Sequence, residues 1–304
     1  MYKRMLVPLD GSELAEVVLP YAKELAGRLD LELVLLHICE QHGTESQFMC
    51  QSYIDHTAEM VKVQSREVQT KTGAPEGGKT VEVAGETVTG QPAEEIINYA
   101  NSNNIDIILL ATHGRSGVRR WVLGSVADKV LRSSRVPVWL VRAAIPEKIV
   151  YDEWPKRSFL VPLDGSKMAE AVLPHVEALA KQRGAELVNI VLLRVVEEPF
   201  ITADYPESNW KEHVEKIKEH FTNEAESYLA GVRQRLSAVG LKVTEKVLMG
   251  KPADEIIDYA DKNHPNLIIM ATHGNSLASR WEYGNVADKV LYGVSSPIFM
   301  VRPH

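Results

Sequence analysis

Short runs of apolar residues alternate with longer stretches in which apolar residues recur every three or four positions. In the first half the apolar runs fall at 4–9, 31–38, 81–88, 105–111 and 136–141. They are rich in Val, Ile and Leu and end at Gly, Pro or Asn, the pattern of buried strands. Stretches with helical spacing lie between them, near 12–28, 55–72, 92–103 and 124–134. Ser12 and Ser166 follow a turn-forming Gly and are placed to cap helices, and Pro92 and Pro252 stand where a first-turn proline belongs. Continuous apolar strands alternating with helices predict an α/β fold, a mostly parallel sheet covered on both faces. Segments 41–53 and 197–209 read as loop-like or partly disordered, and 210–236 as an amphipathic covering helix.

The pattern occurs twice. Val7-Pro-Leu-Asp-Gly-Ser12 recurs as Val161-Pro-Leu-Asp-Gly-Ser166, and Gly90-Gln-Pro-Ala-Glu-Glu-Ile96 as Gly250-Lys-Pro-Ala-Asp-Glu-Ile256. Ala111-Thr-His-Gly114 returns as Ala271-Thr-His-Gly274, and Val126-Ala-Asp-Lys-Val-Leu131 as Val286-Ala-Asp-Lys-Val-Leu291, in the same order. A period this long marks a duplicated domain rather than a solenoid. The expected organisation is a domain at 1–144, a proline-containing linker at 145–156 and a second domain at 157–304, each a doubly wound, Rossmann-like sheet of about five strands. The last run of each copy (beginning at Val136 and Ser296, ending at Val141 and Val301) is apolar and aromatic. An edge of that character is rarely left bare, so the two runs are expected to pair across a pseudo-twofold axis.

Composition narrows the function classes. The 304 residues, 45% hydrophobic and 25% charged, suit two globular domains and exclude a disordered chain. A net charge of −7 argues against a nucleic-acid surface, which needs clustered Lys and Arg. No apolar run approaches the ~20 residues that cross a bilayer, and the N-terminus lacks the apolar region of a signal peptide. The only cysteines, Cys39 and Cys50, do not form a C-x-x-C pair and fit a reducing interior. The expected location is therefore the cytoplasm, without a membrane partner.

In a doubly wound sheet the binding crevice lies beyond the carboxyl ends of the strands, where strand order reverses. The repeated polar and glycine residues fall at those ends. Asp10 and Asp164 close the first strands, Gly114 and Gly274 follow the fourth, and Gly124-Ser125 and Gly284-Asn285 open the next helices. Glycine lets backbone approach a phosphate, and a helix N-terminus offers N–H donors. Arg115, Arg119 and Arg120 add positive charge to the first loop, which together suits a polyphosphate. Each feature also has a plainer role: the aspartates as turn formers, the glycines as tight-turn residues, the arginines as a solvated face.

On these residues the chain resembles the universal stress proteins, specifically the tandem kind. Val-Pro-Leu-Asp-Gly-Ser stands at both domain starts, and Gly114, nine residues, then Gly124-Ser125 matches the later part of the family's Gly-x2-Gly-x9-Gly-(Ser/Thr) motif. Ala111 stands where the first Gly would be. The resemblance implies an adenine nucleotide alpha hydrolase-like fold that binds ATP, with Mg²⁺ as the expected ion. Pro8, Leu9 and Asp10 would border the adenosine, and Ile38 would contact the adenine edge. Gly114, Arg115, Gly124, Ser125 and Val126 would hold the phosphates, with Ser125 helping to place the metal. The second half keeps Pro162, Leu163, Asp164, Val195, Ala271, Gly274, Gly284 and Val286, but Asn285 replaces the hydroxyl residue and the loop holds Arg280 and Glu282. Asn285 is expected to cap the helix, and the second site to bind weakly or not at all.

Three readings follow: a nucleotide-binding sensor or regulator of a stress response, a slow Mg²⁺-dependent ATPase or phosphotransferase, and a scaffold without ligand. No catalytic residue is assigned, and assembly into a homodimer stays open. Gly73-Ala-Pro-Glu-Gly-Gly-Lys-Thr80 matches a Walker A loop letter for letter, but a helix precedes it and a strand follows, the reverse of the order that mechanism needs. His37, Cys39, His42, Cys50 and His56 cluster loosely, without the paired spacing of zinc sites, so His37 is read as a packed core histidine. No Gly-x-Ser-x-Gly elbow supports a serine hydrolase.

Overall fold

A computed structural model describes residues 2–39, 44–71, 81–113, 123–142, 157–198, 207–274 and 284–303. It divides into two units, Met1–Pro155 with Ser295–Arg302, and Lys156–Val294.

In the first unit the apolar runs form β1 (Arg4–Leu9), β2 (Glu32–Cys39), β3 (Val83–Thr89), β4 (Ile107–Ala111) and β5 (Val138–Val141). All pair in parallel, in the order β3-β2-β1-β4-β5. The chain winds one way from β1 to β3 and the other way through β4 and β5, so order reverses between β1 and β4. β4 and β5 are buried throughout, as strands of a parallel sheet should be. The second unit repeats the scheme with β6 (Arg157–Pro162), β7 (Val188–Val196), β8 (Lys242–Met249) and β9 (Leu267–Ala271), ordered β8-β7-β6-β9. Its reversal lies between β6 and β9.

The last strand, β10 (Ile298–Val301), belongs to the first unit, where it runs antiparallel to β5. Ile298 faces Leu140, Phe299 faces Trp139 and Met300 faces Val138. The expected pairing of the two terminal runs is thus present, and β5 is not left as a bare edge.

The helical stretch expected at 12–28 is two helices, α1 (Glu13–Glu16) and α2 (Leu19–Leu29). Pro20 sits in the first turn of α2 and has no N–H to continue the ladder from α1. Pro174 divides α6 (Lys167–Glu170) from α7 (Leu173–Arg183) in the same way. The Ser12 hydroxyl accepts from the Ala15 N–H at 3.2 Å, and Ser166 from Ala169 at 3.0 Å, so both are the caps expected. Ser12→Ala and Ser166→Ala are each expected to cost about 1 kcal/mol, read from urea unfolding midpoints. α4 (Pro92–Ser102) and α9 (Pro252–Asn263) begin at the expected prolines.

Two segments differ from expectation. Residues 44–53 are not loop but the opening turns of α3 (Thr44–Lys71). Phe48 and Met49 are exposed there, so the apolar periodicity that marks a buried helix is missing. No Gly or Pro interrupts 44–71, and a helix nucleated by its buried Ile54, Ala58 and Val61 propagates cheaply through such residues. Tertiary bonds hold the start: the Tyr53 hydroxyl donates to Glu16 Oε1 at 2.8 Å, and the Thr87 hydroxyl to Gln51 Oε1 at 2.7 Å. Likewise 207–209 open α8 (Glu207–Ala238), the covering helix expected over 210–236. Residues 41–43 and 199–206, the linker at 145–156 and the Walker-like segment at 73–80 lie outside the described residues, although α3 does precede that segment and β3 does follow it.

Cys39, closing β2, and Cys50, in α3, form a disulfide, with Cα atoms 6.5 Å apart. Their separation of 11 residues hid this contact, because only the crossing of α3 over the end of β2 creates it. Among the described residues no helix is long and apolar enough to cross a membrane.

Candidate functional site

A cavity lies at each point of strand-order reversal. The first, of about 230 Å³, is lined by Pro8, Leu9 and Asp10 at the end of β1, Ile38 near the end of β2, and Ala111 closing β4. Gly124, Ser125 and Val126 also line it. These are residues the sequence singled out, drawn from four elements. Gly114 and Arg115, like Arg119 and Arg120, lie outside the described residues.

The β1–α1 turn is built locally. Asp10 Oδ1 accepts from the Ser12 N–H at 3.0 Å and from its hydroxyl at 2.6 Å, while Gly11 takes φ 78°. Asp10 therefore orders the turn and faces the cavity at once, so the plainer reading of this residue is part of its role. Across the cavity, the Gly124 N–H donates to the Thr112 carbonyl at 2.8 Å and opens α5 (Ser125–Ser133). A Cβ on Gly124 would lie 3.1 Å from that carbonyl oxygen, which is why the position favours glycine. No side chain caps α5, so its first-turn N–H groups lack the partner a Ser or Asp cap would supply. That end carries partial positive charge and suits an anion.

Sequence reasoning missed the remaining walls. Pro92 and Ile96 of α4, Ala15, Leu110, Thr112, His113 and Ala127 also line the cavity. Pro92 and Ile96 stand four apart on a helix that starts at the carboxyl side of β3, and that placement was the available clue. The Thr112 hydroxyl and His113 Nδ1 lie 3.0 Å apart.

The second cavity is larger, about 680 Å³, and every residue assigned to a second site lines it: Pro162, Leu163, Asp164, Val195, Ala271, Gly274, Gly284, Asn285 and Val286. Asp164 Oδ1 accepts from the Ser166 N–H at 2.9 Å, and a Cβ on Gly274 would run into Asp164 Oδ2. Gly284 is the cap of α10 (Asn285–Gly293), so Asn285 is the first helical residue and not the cap expected of it. Its predecessor already occupies the half-in position, and no side chain bonds the exposed N–H groups. Arg280 and Glu282 lie outside the described residues. Unforeseen here are Arg194, Glu197, Glu198, Phe221 and Glu224. Among the described residues the lining holds four carboxylates, Asp164 included, against one guanidinium, an environment unfavourable to polyphosphate.

The two units differ beside these cavities. In the first, Leu9 pairs with His37, and the His37 ring meets the Tyr53 ring edge-on at 5.4 Å. Burial, then the hydrogen bond to Glu16, pushes the Tyr53 hydroxyl well above its ordinary range, so it stays a donor. In the second, Arg194 takes the place of His37 and stacks 5.0 Å over Tyr228, whose hydroxyl is raised by burial and by Glu170.

The sequence pattern of the universal stress protein family matches residues 1–142 and again 156–302. Universal stress protein YxiE of Bacillus subtilis is 29% identical over 148 residues, 47% of this chain and all of that protein. Universal stress protein Rv1996 of Mycobacterium tuberculosis is 22% identical over 263 residues, 86% of this chain and 78% of its own. Among solved structures, a universal stress protein from Archaeoglobus fulgidus superposes with a TM-score of 0.63 at 20% identity, covering 98% of both chains.

Proposed function

The chain belongs to the universal stress protein family through both of its halves, and from that premise we propose that its first half binds an adenine nucleotide, ATP with Mg²⁺ foremost. On this reading it acts as a cytoplasmic sensor or regulator, and no residue is assigned to turnover. One observation carries the reading: the cavity at the first strand-order reversal joins an apolar slot, a carboxylate and an uncapped helix N-terminus.

Leu9, Ile38, Ile96 and Leu110 form an apolar wall suited to a flat base. The Asp10 carboxylate accepts a hydroxyl or amine hydrogen bond from the nucleoside. The free N–H groups at the start of α5 receive the phosphates; Gly114 and Arg115, the further phosphate candidates of the sequence, lie outside the described residues. A bound Mg²⁺ would supply charge neutralisation to the phosphates, whose hard oxygens suit it. The Ser125 hydroxyl, first in α5 and in the cavity wall, is the chain's group to orient it. The carboxylates of the second cavity oppose the same ligand, so the second half binds ATP weakly or not at all.

The test is mass spectrometry of small molecules released on denaturing freshly purified protein, with calorimetric titration by ATP and Mg²⁺. One adenine nucleotide per chain is expected, and Gly284→Asp should leave that stoichiometry unchanged. A ligand present at 100 times its Kd stabilises the native state by about 2.7 kcal/mol. A melting temperature that stays put at millimolar ATP, with no nucleotide released, would sink the proposal in favour of a scaffold. Steady metal-dependent phosphate release that vanishes in Ser125→Ala would replace it with a phosphotransfer enzyme.

A further inference from the structure

Beside the nucleotide cavity, and chemically distinct from it, lies a cluster of three soft ligands. A ring nitrogen of His37 and the sulfurs of Cys39 and Cys50 all lie within 4.8 Å of one another. His42 lies outside the described residues, and His56, exposed on α3, is not part of this group. We propose that the first unit binds one Zn²⁺ through His37, Cys39 and Cys50 when the two cysteines are reduced, with the fourth position left to water.

Three features argue for a built site rather than a chance grouping. His37 and Cys39 stand two apart on β2, so the pleat turns both side chains to one face, where α3 brings Cys50 over them. The imidazole is also preset. A carbonyl can only accept, so the 2.9 Å contact between His37 Nδ1 and the Leu9 carbonyl makes Nδ1 the protonated nitrogen and leaves the lone pair on Nε2. Zinc-bound histidines characteristically donate their other N–H to a carbonyl or carboxylate in this way, which fixes ring orientation and tautomer. His37 and Cys39 are buried, while Cys50 opens on a cleft of about 530 Å³ lined by Gly11, Glu45, Ser46, Met49 and Tyr53, which gives ion and reductant access.

With Zn–S near 2.3 Å and Zn–N near 2.0 Å, tetrahedral ligands stand roughly 3.5–3.8 Å apart, so the two sulfurs, bonded to each other here, separate on reduction to take their places around the ion, while the three ligand atoms already lie within 4.8 Å of one another. Two thiolates and an imidazole select Zn²⁺ over Mg²⁺, which prefers oxygen, so this ion does not compete with the one at the phosphates. The second unit supplies an internal contrast. Arg194 and Val196 occupy the strand positions of His37 and Cys39, and Ala225, three residues before Tyr228, stands where Cys50 precedes Tyr53. None of the three can ligate a metal.

The disulfide is the oxidised form of the same pair. A small thiol such as glutathione supplies two equivalents of RSH, which leave as RSSR; the Cys39–Cys50 bond breaks and each sulfur takes a proton. Zn²⁺ then displaces both protons as it bonds to the two thiolates.

The full chain, reduced with a phosphine and freed of it, is titrated with ZnCl₂ against a chromophoric indicator, and in parallel with Co²⁺. One Zn²⁺ per chain and near-ultraviolet thiolate-to-cobalt absorption are expected for reduced protein, and neither after reoxidation. Cys50→Ala, which copies the second unit, should abolish both, as should Cys39→Ser and His37→Gln. Far-ultraviolet circular dichroism of each variant separates loss of the site from loss of the fold, and half-buried Cys50 is the position least costly to change. Absence of stoichiometric binding by the reduced chain overturns the proposal, and so does binding that survives in folded Cys50→Ala or a cobalt complex without thiolate absorption.

Discussion

Gly124→Asp is expected to weaken ATP binding by at least about 100-fold while leaving the fold standing, a loss of roughly 2.7 kcal/mol. The new carboxylate would stand at the mouth of α5, where the proposed phosphates meet the helix's free N–H groups. A pair of like charges about 4 Å apart costs roughly 4 kcal/mol at an effective dielectric of 20, and the carboxylate also takes up the N–H donors. For the fold the same change is nearly balanced. Asp is a favoured cap, where the native Gly offers no side-chain bond. Against that, its Cβ would lie 3.1 Å from the Thr112 carbonyl, which must yield by a few tenths of an ångström. Calorimetric titration of the variant, with urea unfolding as the control, reads both effects. Gly284→Asp, the equivalent change in the second unit, should leave ATP affinity as it was. If both variants bind as the parent does, the phosphates do not lie at the start of α5.

Phe299→Ala is expected to destabilise the first unit by about 3–5 kcal/mol, the usual range for deleting a fully buried aromatic ring. Phe299 is fully buried on β10 and meets the Trp139 ring edge-on at 5.8 Å and 86°. The Tyr2 ring also meets the Phe299 ring edge-on at 6.3 Å. Trp139 and Phe299 are also direct cross-strand partners, so the substitution removes core volume and an aromatic contact of the β5–β10 pair together. Edge-to-face pairs contribute about 0.5–1.5 kcal/mol beyond their burial, so a double-mutant cycle with Trp139→Leu should return a coupling of that size. With native domains stable by only about 5–15 kcal/mol, the variant should lose a large share of its urea resistance. A cost below about 1 kcal/mol, typical of exposed positions, would mean that β10 does not seal the edge of β5.

The strongest sequence features were those whose physics is local or repeated. Ser12 and Ser166 cap because a hydroxyl reaches an N–H three residues on. Pro92 and Pro252 start helices because proline lacks a donor the first turn does not use. Duplication made the strand ends visible twice, and in a doubly wound sheet those ends converge, so Asp10, Ile38 and Gly124 could be grouped across long stretches of chain. The β5–β10 pairing was legible for another reason: an apolar, aromatic edge needs a partner, and the duplication supplied one of matching character.

Other features were not legible because nothing near them in sequence decides them. Residues 44–53 look like loop, with Phe48 and Met49 exposed, yet bonds from Glu16 and Thr87 hold their helix. Pro92 and Ile96 read as ordinary helix residues until the fold turns them toward Leu9 and Ile38. His37, Cys39 and Cys50 carry no recognisable metal spacing, because two come from a strand and the third from a helix that crosses it. The sequence alone therefore determined the duplicated α/β scheme, its caps and the strand ends that frame each cavity, since these follow from periodicity and from bonds spanning a few residues. The tertiary structure decided which walls complete each cavity, that carboxylates crowd the second, and that a histidine and two cysteines meet beside the first. Those outcomes depend on how strands and helices cross, and only long-range packing sets that.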